Sequence, residues 1–308
     1  MREIFLFILY ILLFLCSMVL LRNGLFKLTG QTLHRRLQQL TDTPVKGFFT
    51  GVIFTALLQS SSAVMVMTIG LVSVEAITFR QSIGIILGSN IGTTVTAEFM
   101  SFSYGPIIGP ALLIGFIMML FNLPKIRHGG MALFGLFMIF FCISKFTALS
   151  VPLMNIDGIS ALFHKADQHL FLAILLGAAI AATIHSGTAT IAIAMGFLSS
   201  GQLTAETGIA IMLGSNIGTC ITGYIASLGA GQAAKWTAYA HIWLNVLGVL
   251  LFYPFIHTLL HMAMSLTDDP AKQLAHAAVI FNVICSLLVL PFTRLFSSFI
   301  TTVHRKRV

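Results

Sequence analysis

Two short polar segments interrupt an otherwise apolar stretch in the first third of the chain. The first is Gln59-Ser60-Ser61-Ser62-Ala63, and the second, Gly88-Ser89-Asn90-Ile91-Gly92-Thr93, begins 29 residues later. Their hydroxyl and amide groups can donate hydrogen bonds to anionic oxygens, and their oxygens can bind a hard cation such as sodium. Helices broken at such segments would add the partial positive charge of their N-termini. The residue types therefore indicate a site for a small ion.

Both segments return 126 residues further along the chain. His185-Ser186-Gly187-Thr188-Ala189 takes the place of the first, and Gly214-Ser215-Asn216-Ile217-Gly218-Thr219 repeats the second letter for letter. Alignment of residues 47–96 with residues 173–222 needs no gap and gives 17 identities in 50 positions. We therefore interpret the chain as two copies of one unit.

The composition predicts an all-α polytopic membrane protein. Of the 308 residues, 57% are hydrophobic and only 8% are charged, whereas soluble domains carry about 25% charged residues. The net charge of +8 comes from basic residues in short loops, which favours topology signals and lipid contacts over nucleic-acid binding. The spacing of the cysteines and histidines indicates no disulfide framework, cofactor or resident metal site.

Charge placement predicts how the chain is threaded through the membrane. The predicted spanning runs are residues 4–21, 107–123, 129–150, 235–258 and 273–298. The basic segments, which the positive-inside rule places in the cytoplasm, are residues 22–46, 125–128 and 304–307. The weakly charged loops at 151–169 and 259–272 are then outside. Each motif-containing segment between these spans and loops must cross the membrane an odd number of times. The two segments enter the membrane from opposite sides. This is an inverted-topology repeat, an architecture of secondary transporters.

The predicted organisation has five parts. They are a first spanning helix with a basic cytoplasmic loop (1–46), repeat 1 (47–150), an outside linker (151–172), an inverted repeat 2 (173–298) and a basic cytoplasmic tail (299–308). Residues 47–73 either span or form a re-entrant hairpin. The hairpin is favoured because four adjacent polar residues at membrane depth need partners, which broken helices lining a cavity supply. The Gly-Ser-Asn-Ile-Gly segment is interpreted as a similar break.

Helix packing is a competing explanation for part of this pattern. Gly88 and Gly92 are four residues apart, a spacing common where membrane helices pack closely. Packing explains the Gln-Ser-Ser-Ser cluster less well, since glutamine at membrane depth is costly and gains little from it. Finding both motifs twice favours a substrate site.

The paired motifs resemble those of the type II sodium/phosphate cotransporters and their bacterial relatives, over residues 45–298. The resemblance implies sodium-coupled movement of inorganic phosphate, by alternating access, through a site between two inverted repeats. It implies phosphate and sodium as substrates, a multi-pass protein of the bacterial inner membrane with a cytoplasmic C-terminus, and no enzymatic activity. The implied site residues are Gln59, Ser60, Ser61, Ser62, Asn90, Thr93, His185, Ser186, Thr188, Asn216 and Thr219. A homodimer is a further possibility that the sequence leaves open.

The second copy departs from the family pattern at its first motif. His185-Ser186-Gly187-Thr188 stands where the family usually has a second Gln-Ser-Ser-Ser. Histidine can change its charge near neutral pH, so one hypothesis is pH-sensitive transport in which a proton replaces one sodium ion. The alternative is a neutral histidine that acts only as a hydrogen-bond donor.

Other polar residues lie within the predicted spans. Glu98 follows Thr93 by five residues, and an intramembrane carboxylate is a candidate ion ligand or gate. His241 with Asn245, and His276 with Asn282, are predicted to bridge helices. Three other functions remain open: transport of another small anion such as sulfate or a carboxylate, an enzyme acting on lipid-linked phosphate, and a regulatory protein that has lost transport.

Overall fold

The structure is a computed structural model that describes residues 1–29, 41–102 and 104–304. Within these ranges all regular elements are helical, which confirms the predicted all-α class. The helices are α1 Arg2–Thr29, α2 Pro44–Leu58, α3 Ser61–Ser73, α4 Phe79–Met100, α5 Gly105–Met119, α6 Pro124–Met154, α7 Asp157–Gln168, α8 Leu170–Ile184, α9 Gly187–Ser199, α10 Ala205–Gly218, α11 Cys220–Ser227, α12 Gln232–Phe252, α13 Ile256–Met264, α14 Pro270–Val289 and α15 Thr293–Val303. Short 3-10 turns join α12 to α13 and α14 to α15.

The 126-residue repeat is preserved in the helix boundaries. Helices α2, α3 and α4 begin 126 residues before α8, α9 and α10, respectively. The caps are preserved as well, since Thr78 and Thr204 each accept a hydrogen bond from the backbone N–H three residues later, both at 3.3 Å. Such caps satisfy N–H groups that a helix leaves unpaired at its start. We refer to α2–α4 as the first copy and to α8–α11 as the second copy.

Each copy contains a helix break at its first polar motif, as the sequence predicts. Gln59 and His185 take left-handed backbone conformations, with φ of 52° and 56°, a region that few non-glycine residues occupy. Helices α2 and α3 have 15 and 13 residues, so they are about 22 and 20 Å long. Each is shorter than the hydrocarbon core of about 30 Å. The re-entrant course of residues 47–73 stays a prediction.

The predicted break at the Gly-Ser-Asn-Ile-Gly segment is wrong. Helix α4 runs through it without interruption, and in the second copy Thr219 still has helical dihedral angles of −66° and −17°. A Cβ atom added to Gly88 would lie 1.9 Å from the carbonyl oxygen of Phe48, and one added to Gly214 would lie 1.9 Å from that of Ile174. The glycines therefore let α4 pack backbone to backbone on α2, and α10 on α8.

The helix lengths support a protein that crosses the membrane several times. Among the described residues, five segments are long and apolar enough to span: Arg2–Leu28, Pro124–Met154, Ala205–Ser227, Gln232–Met264 and Pro270–Val303. Helices α4 and α5 would add a sixth if they are counted as one broken span, bent by 109°.

Three predicted boundaries need correction. The first helix does not end at residue 21 but continues to Thr29, so Arg22 and Lys27 lie on it. The run predicted as a span at 107–123 is a helix of only 15 residues, Gly105–Met119, which is about 22 Å long. The span predicted at 129–150 runs from Pro124 to Met154, and the outside linker at 151–172, which stays a prediction, contains α7.

Part of the topology prediction concerns residues that the structure does not describe. Arg35 and Arg36, and the basic tail residues Arg305, Lys306 and Arg307, lie outside the described residues. Helix α1, which precedes the aligned segments 47–96 and 173–222, is also part of the core. Its Phe14 is fully buried, with its ring centroid 6.0 Å from that of Phe146 on α6.

Candidate functional site

A cavity of about 640 Å³ lies where the breaks of the two copies come together. The first copy contributes residues 59–63, Val66 and Met67, and the second contributes residues 184–188 and Thr222. Helix α1 completes the wall. Seven of the predicted site residues therefore line one common space together with Gly187. They are Gln59, Ser60, Ser61, Ser62, His185, Ser186 and Thr188.

Two helix N-termini open into this cavity. Helix α3 begins at Ser61 and helix α9 begins at Gly187. Ser60 and Ser186 cap them by accepting hydrogen bonds from the N–H groups of Ala63 and Ala189, at 3.2 and 3.1 Å. The N–H groups of the first helical residues have no acceptor within their own helix. Such N-termini are ready sites for anions, because free N–H groups and the positive end of the helix dipole coincide.

The residues at the two breaks are held in equivalent ways. Thr96 donates a hydrogen bond to the side-chain oxygen of Gln59 at 2.7 Å, and Thr222 lies 3.2 Å from Nδ1 of His185. Thr96 and Thr222 are 126 residues apart, so the contact is duplicated with the motifs. Neither threonine is among the site residues that the sequence predicts. Because both positions carry threonine at the 126-residue offset, the alignment of the two copies contains the signal that would identify them.

Arg22 supplies the cavity with a positive charge. It lies on the same face of α1 as Leu15, Met18 and Val19, at the i, i+3, i+4 and i+7 spacing of one helical stripe. The side chain is half-buried, and no aspartate or glutamate lines the cavity in the described parts of the chain. The sequence predicts a cytoplasmic loop at Arg22, because the apolar run ends at residue 21.

Four other predicted site residues lie on α4 and near the end of α10, outside the wall of this cavity. They are Asn90, Thr93, Asn216 and Thr219. Thr93 donates to the carbonyl oxygen of Ser89 at 3.0 Å, and Asn216 donates to that of Met212 at 3.1 Å. Thr219 borders Gly187 of the cavity wall, since its methyl group would be 3.0 Å from a Cβ atom added there. Their role in binding stays a prediction.

Glu98 lies away from the cavity and joins two distant helices. Its Oε1 is 2.8 Å from Nδ1 of His276, and each side chain is 27% exposed. Glu98 is on α4 and His276 is on α14, so the pair bridges helices, as predicted for His276. The predicted role of Glu98 as an ion ligand or gate stays a prediction.

Comparison with known proteins assigns the chain to a family. Residues 13–148 and 149–288 each match the family model described as Na+/Pi-cotransporter. No solved structure matches the chain.

Three relatives illustrate the range of similarity. "Uncharacterized protein YqeW" of Bacillus subtilis (strain 168) is 41% identical over 93% of both chains. "Putative inorganic phosphate export protein YjbB" of Escherichia coli (strain K12) is 23% identical over 93% of this chain and 53% of its own length. "Sodium-dependent phosphate transport protein 2B" of Homo sapiens is 33% identical over 40% of this chain and 18% of its own length. The matched segments together cover most of the chain, which therefore belongs to the Na+/Pi-cotransporter family.

Proposed function

We propose that the protein is a secondary active transporter that moves inorganic phosphate across the membrane, coupled to sodium, by alternating access. The observation that carries this proposal is the common cavity of the two helix breaks. Two helix N-termini, a row of hydroxyl groups and the Arg22 guanidinium face it, and no carboxylate does among the described residues. This combination suits an oxyanion, because N–H and O–H donors bind its oxygens and the guanidinium balances its charge.

The names of the relatives support the same substrate. One is named for inorganic phosphate export and another for sodium-dependent phosphate transport. Membership in a transporter family favours transport over an enzyme acting on lipid-linked phosphate.

Alternating access is proposed from the duplication. The two copies present equivalent helix ends to one cavity, and the charge pattern predicts that they enter the membrane from opposite sides. In such inverted repeats, one repeat or bundle rocks against the other around a fixed site. The same charge pattern places the C-terminus in the cytoplasm, and the resemblance to bacterial relatives places the protein in the inner membrane.

A proton-coupled variant is the second candidate. His185 stands at the cavity in the position of the second glutamine, and Thr222 contacts its ring. If the ring takes up a proton as the anion binds, one proton can replace one sodium ion in the cycle. A transporter of sulfate or a carboxylate is distinguished from both by competition.

The test is uptake of radiolabelled phosphate by proteoliposomes with and without a sodium gradient. Wild type, Ser61→Ala and Arg22→Gln are compared, with Ser73→Ala as the matched control. Ser73 is on the same helix as Ser61 but is exposed and bonds only to the carbonyl oxygen of Gly70. We expect sodium-dependent flux in wild type and Ser73→Ala. Ser61→Ala should lose it, and Arg22→Gln should need at least 10-fold more phosphate, about 1.4 kcal/mol of lost binding.

The remaining outcomes discriminate between the candidates. Wild-type flux that follows a proton gradient and ignores sodium would support the proton-coupled variant. Flux inhibited equally by sulfate or a carboxylate would point to a broader anion substrate. Absence of phosphate flux under either gradient, from folded protein, would overturn the proposal.

A further inference from the structure

An apolar groove lies beside the cavity of the two helix breaks, between α1, α4 and α6. Its volume is about 440 Å³. Leu21, Leu25 and Leu28 of α1 form one wall, and one face of α6 from residue 129 to residue 139 forms the other. Among the described residues that line the groove, only Gln59 and Thr96 are polar. Such walls suit a hydrocarbon chain, because contact with it removes their apolar surface from water.

The groove is as long as one leaflet of a bilayer. Its wall on α6 extends from Gly129 to Ile139, ten residues further along the chain, which is about 15 Å along the helix axis. The hydrocarbon core of a bilayer is about 30 Å thick. Helices α1 and α6 both belong to segments that are long and apolar enough to span it. One acyl chain that enters from a membrane surface would therefore fill the groove down to about the middle of the bilayer.

The contacts between α1 and α6 show which residues lie at the ends of the groove. A Cβ atom added to Gly24 would lie 2.7 Å from the carbonyl oxygen of His128, whereas Phe14 contacts Phe146. Residue numbers thus fall on one helix as they rise on the other, so the two helices are antiparallel. Lys27, about one turn after Gly24, is therefore beside the first turns of α6.

Positive charge collects at this end of the groove. Lys27, Lys125 and Arg127 are exposed, and none of them forms an ion pair with a carboxylate of the described residues. The charges of Lys27 and Arg127 both act on the ring of His128, so the two helices bring these side chains near one another. The residues directly after Lys27 and His128 line the groove. Basic residues between spanning helices at the cytoplasmic surface bind anionic headgroups, and the charge pattern predicts that this end is cytoplasmic.

We infer that the groove binds one anionic phospholipid. Lys27, Lys125 and Arg127 attract its headgroup, and one acyl chain lies between α1 and α6. A free anion would leave the apolar walls uncovered, and a zwitterionic lipid would bring its own positive charge into the basic end. An anionic lipid matches both parts of the groove. This lipid site does not rest on the proposed function.

The inner end of the groove meets the cavity of the two helix breaks at Gln59. Gln59 lines both spaces. Thr96, whose hydroxyl donates to the side-chain oxygen of Gln59, also lines the groove. An acyl chain in the groove would therefore pack against the first helix break from behind and support this contact. We expect the bound lipid to increase phosphate transport, and this step alone rests on the proposed function.

The test measures lipid binding by native mass spectrometry of the purified full chain in detergent, titrated with dioleoylphosphatidylglycerol or dioleoylphosphatidylcholine. Wild type should bind one phosphatidylglycerol at least about 10-fold more tightly than phosphatidylcholine. The double variant Lys27→Gln, Arg127→Gln should lose this preference, because it lacks two charges that attract the headgroup. The matched control Lys46→Gln, Arg80→Gln removes the same charges from the starts of α2 and α4, where neither residue lines the groove, and should keep the preference.

A second pair of variants tests the acyl chain. Leu133→Trp puts a larger side chain on the groove wall and should weaken the binding of phosphatidylglycerol at least about 10-fold. Leu113→Trp changes a leucine of α5 that is 61% exposed and outside the groove, and should bind the lipid like wild type. Excess glycerol 3-phosphate, which has a phosphate but no acyl chain, should not displace the lipid.

Three results would overturn the lipid site: equal binding of the two phospholipids by wild type, an equal loss of preference in the control pair, or displacement by glycerol 3-phosphate. A dimer without bound lipid that Leu133→Trp dissociates would assign the groove to a second copy of the chain and would overturn it as well. If Leu133→Trp does not fold, the charge variants still decide, since Lys27 and Arg127 are exposed.

The effect on transport is measured as phosphate uptake by phosphatidylcholine proteoliposomes with and without phosphatidylglycerol. Uptake by wild type should rise severalfold with phosphatidylglycerol, and uptake by Leu133→Trp should not respond. Lipid binding without a response of uptake would refute the connection through Gln59 alone. Lipid binding without any phosphate uptake would retain the lipid site and refute the proposed function.

Discussion

Substitution of Gly88 by alanine separates the two explanations of the Gly-Ser-Asn-Ile-Gly motif. A Cβ atom at this position would lie 1.9 Å from the carbonyl oxygen of Phe48, whereas real Cβ atoms essentially never approach closer than 3.0 Å. Helix α2 must therefore move away from α4 by at least 1.1 Å, the difference between these two distances. The obstacle is backbone, so no side-chain rotation can relieve it.

The expected cost follows from this geometry. Overpacking a tight interface costs about 1–3 kcal/mol, and Gly88→Ala should lie at or above the upper end because two backbones collide. Gly70→Ala is the matched control, since Gly70 lies within α3 and its added Cβ would meet nothing within 4 Å. Alanine is a better helix former than glycine, so this variant should be as stable as wild type or more so.

The assay combines the melting temperature of the purified protein with the rate of phosphate uptake in proteoliposomes. We expect Gly88→Ala to lower the melting temperature by several degrees and to reduce flux together with it, while Gly70→Ala changes neither. A Gly88→Ala protein with wild-type stability and impaired phosphate binding would refute the packing argument, and the motif would then act through its ligand contacts. Gly214→Ala should repeat the result in the second copy, where the clash is with Ile174.

Three further substitutions test other contacts. Thr222→Val removes the hydroxyl beside His185 and should raise the phosphate concentration for half-maximal uptake about 2–10-fold, the worth of one hydrogen bond; an unchanged value would show that the contact does not position the ring. In the proton-coupled candidate, His185→Gln should keep uptake but lose any dependence on a proton gradient, because glutamine does not take up a proton; an unchanged dependence would place the proton elsewhere. A double-mutant cycle of Glu98→Ala and His276→Ala should give a coupling of about 1 kcal/mol in unfolding, since both side chains are partly exposed, and coupling near zero would count against the bridge.

The sequence predicts the helix breaks and their pairing because the pattern there is local. A run of adjacent polar residues inside an apolar stretch must be stabilised by something other than lipid, and a break that lines a cavity does this. Gln59 and His185 both stand at such breaks, in left-handed conformations. The fixed offset then indicates that the two breaks belong to equivalent structures, which the helix boundaries confirm.

The sequence does not predict which contacts form between distant helices. Gly88 suits a helix break and a close helix contact equally well, and only the position of Phe48 across the interface decides between them. Arg22 looks like a loop residue because hydropathy falls after residue 21, yet α1 continues past it and turns its side chain toward the cavity. Asn245 is separated from Asn90 by more than 150 residues, so the hydrogen bond between their side chains is visible only in the fold.

The proposed site joins a duplicated part to parts that occur once. The N-termini of α3 and α9 are equivalent, so they do not by themselves make the two halves of the cavity different. Arg22 comes from α1, which belongs neither to α2–α4 nor to α8–α11, and His185 stands in the second copy where the first copy has Gln59. Substitutions of Ser60 and Ser186, which cap the equivalent helix ends, should therefore weaken anion binding to similar extents. Arg22 has no counterpart in the second copy, so its removal should change anion selectivity and charge preference in a way that no cap substitution reproduces.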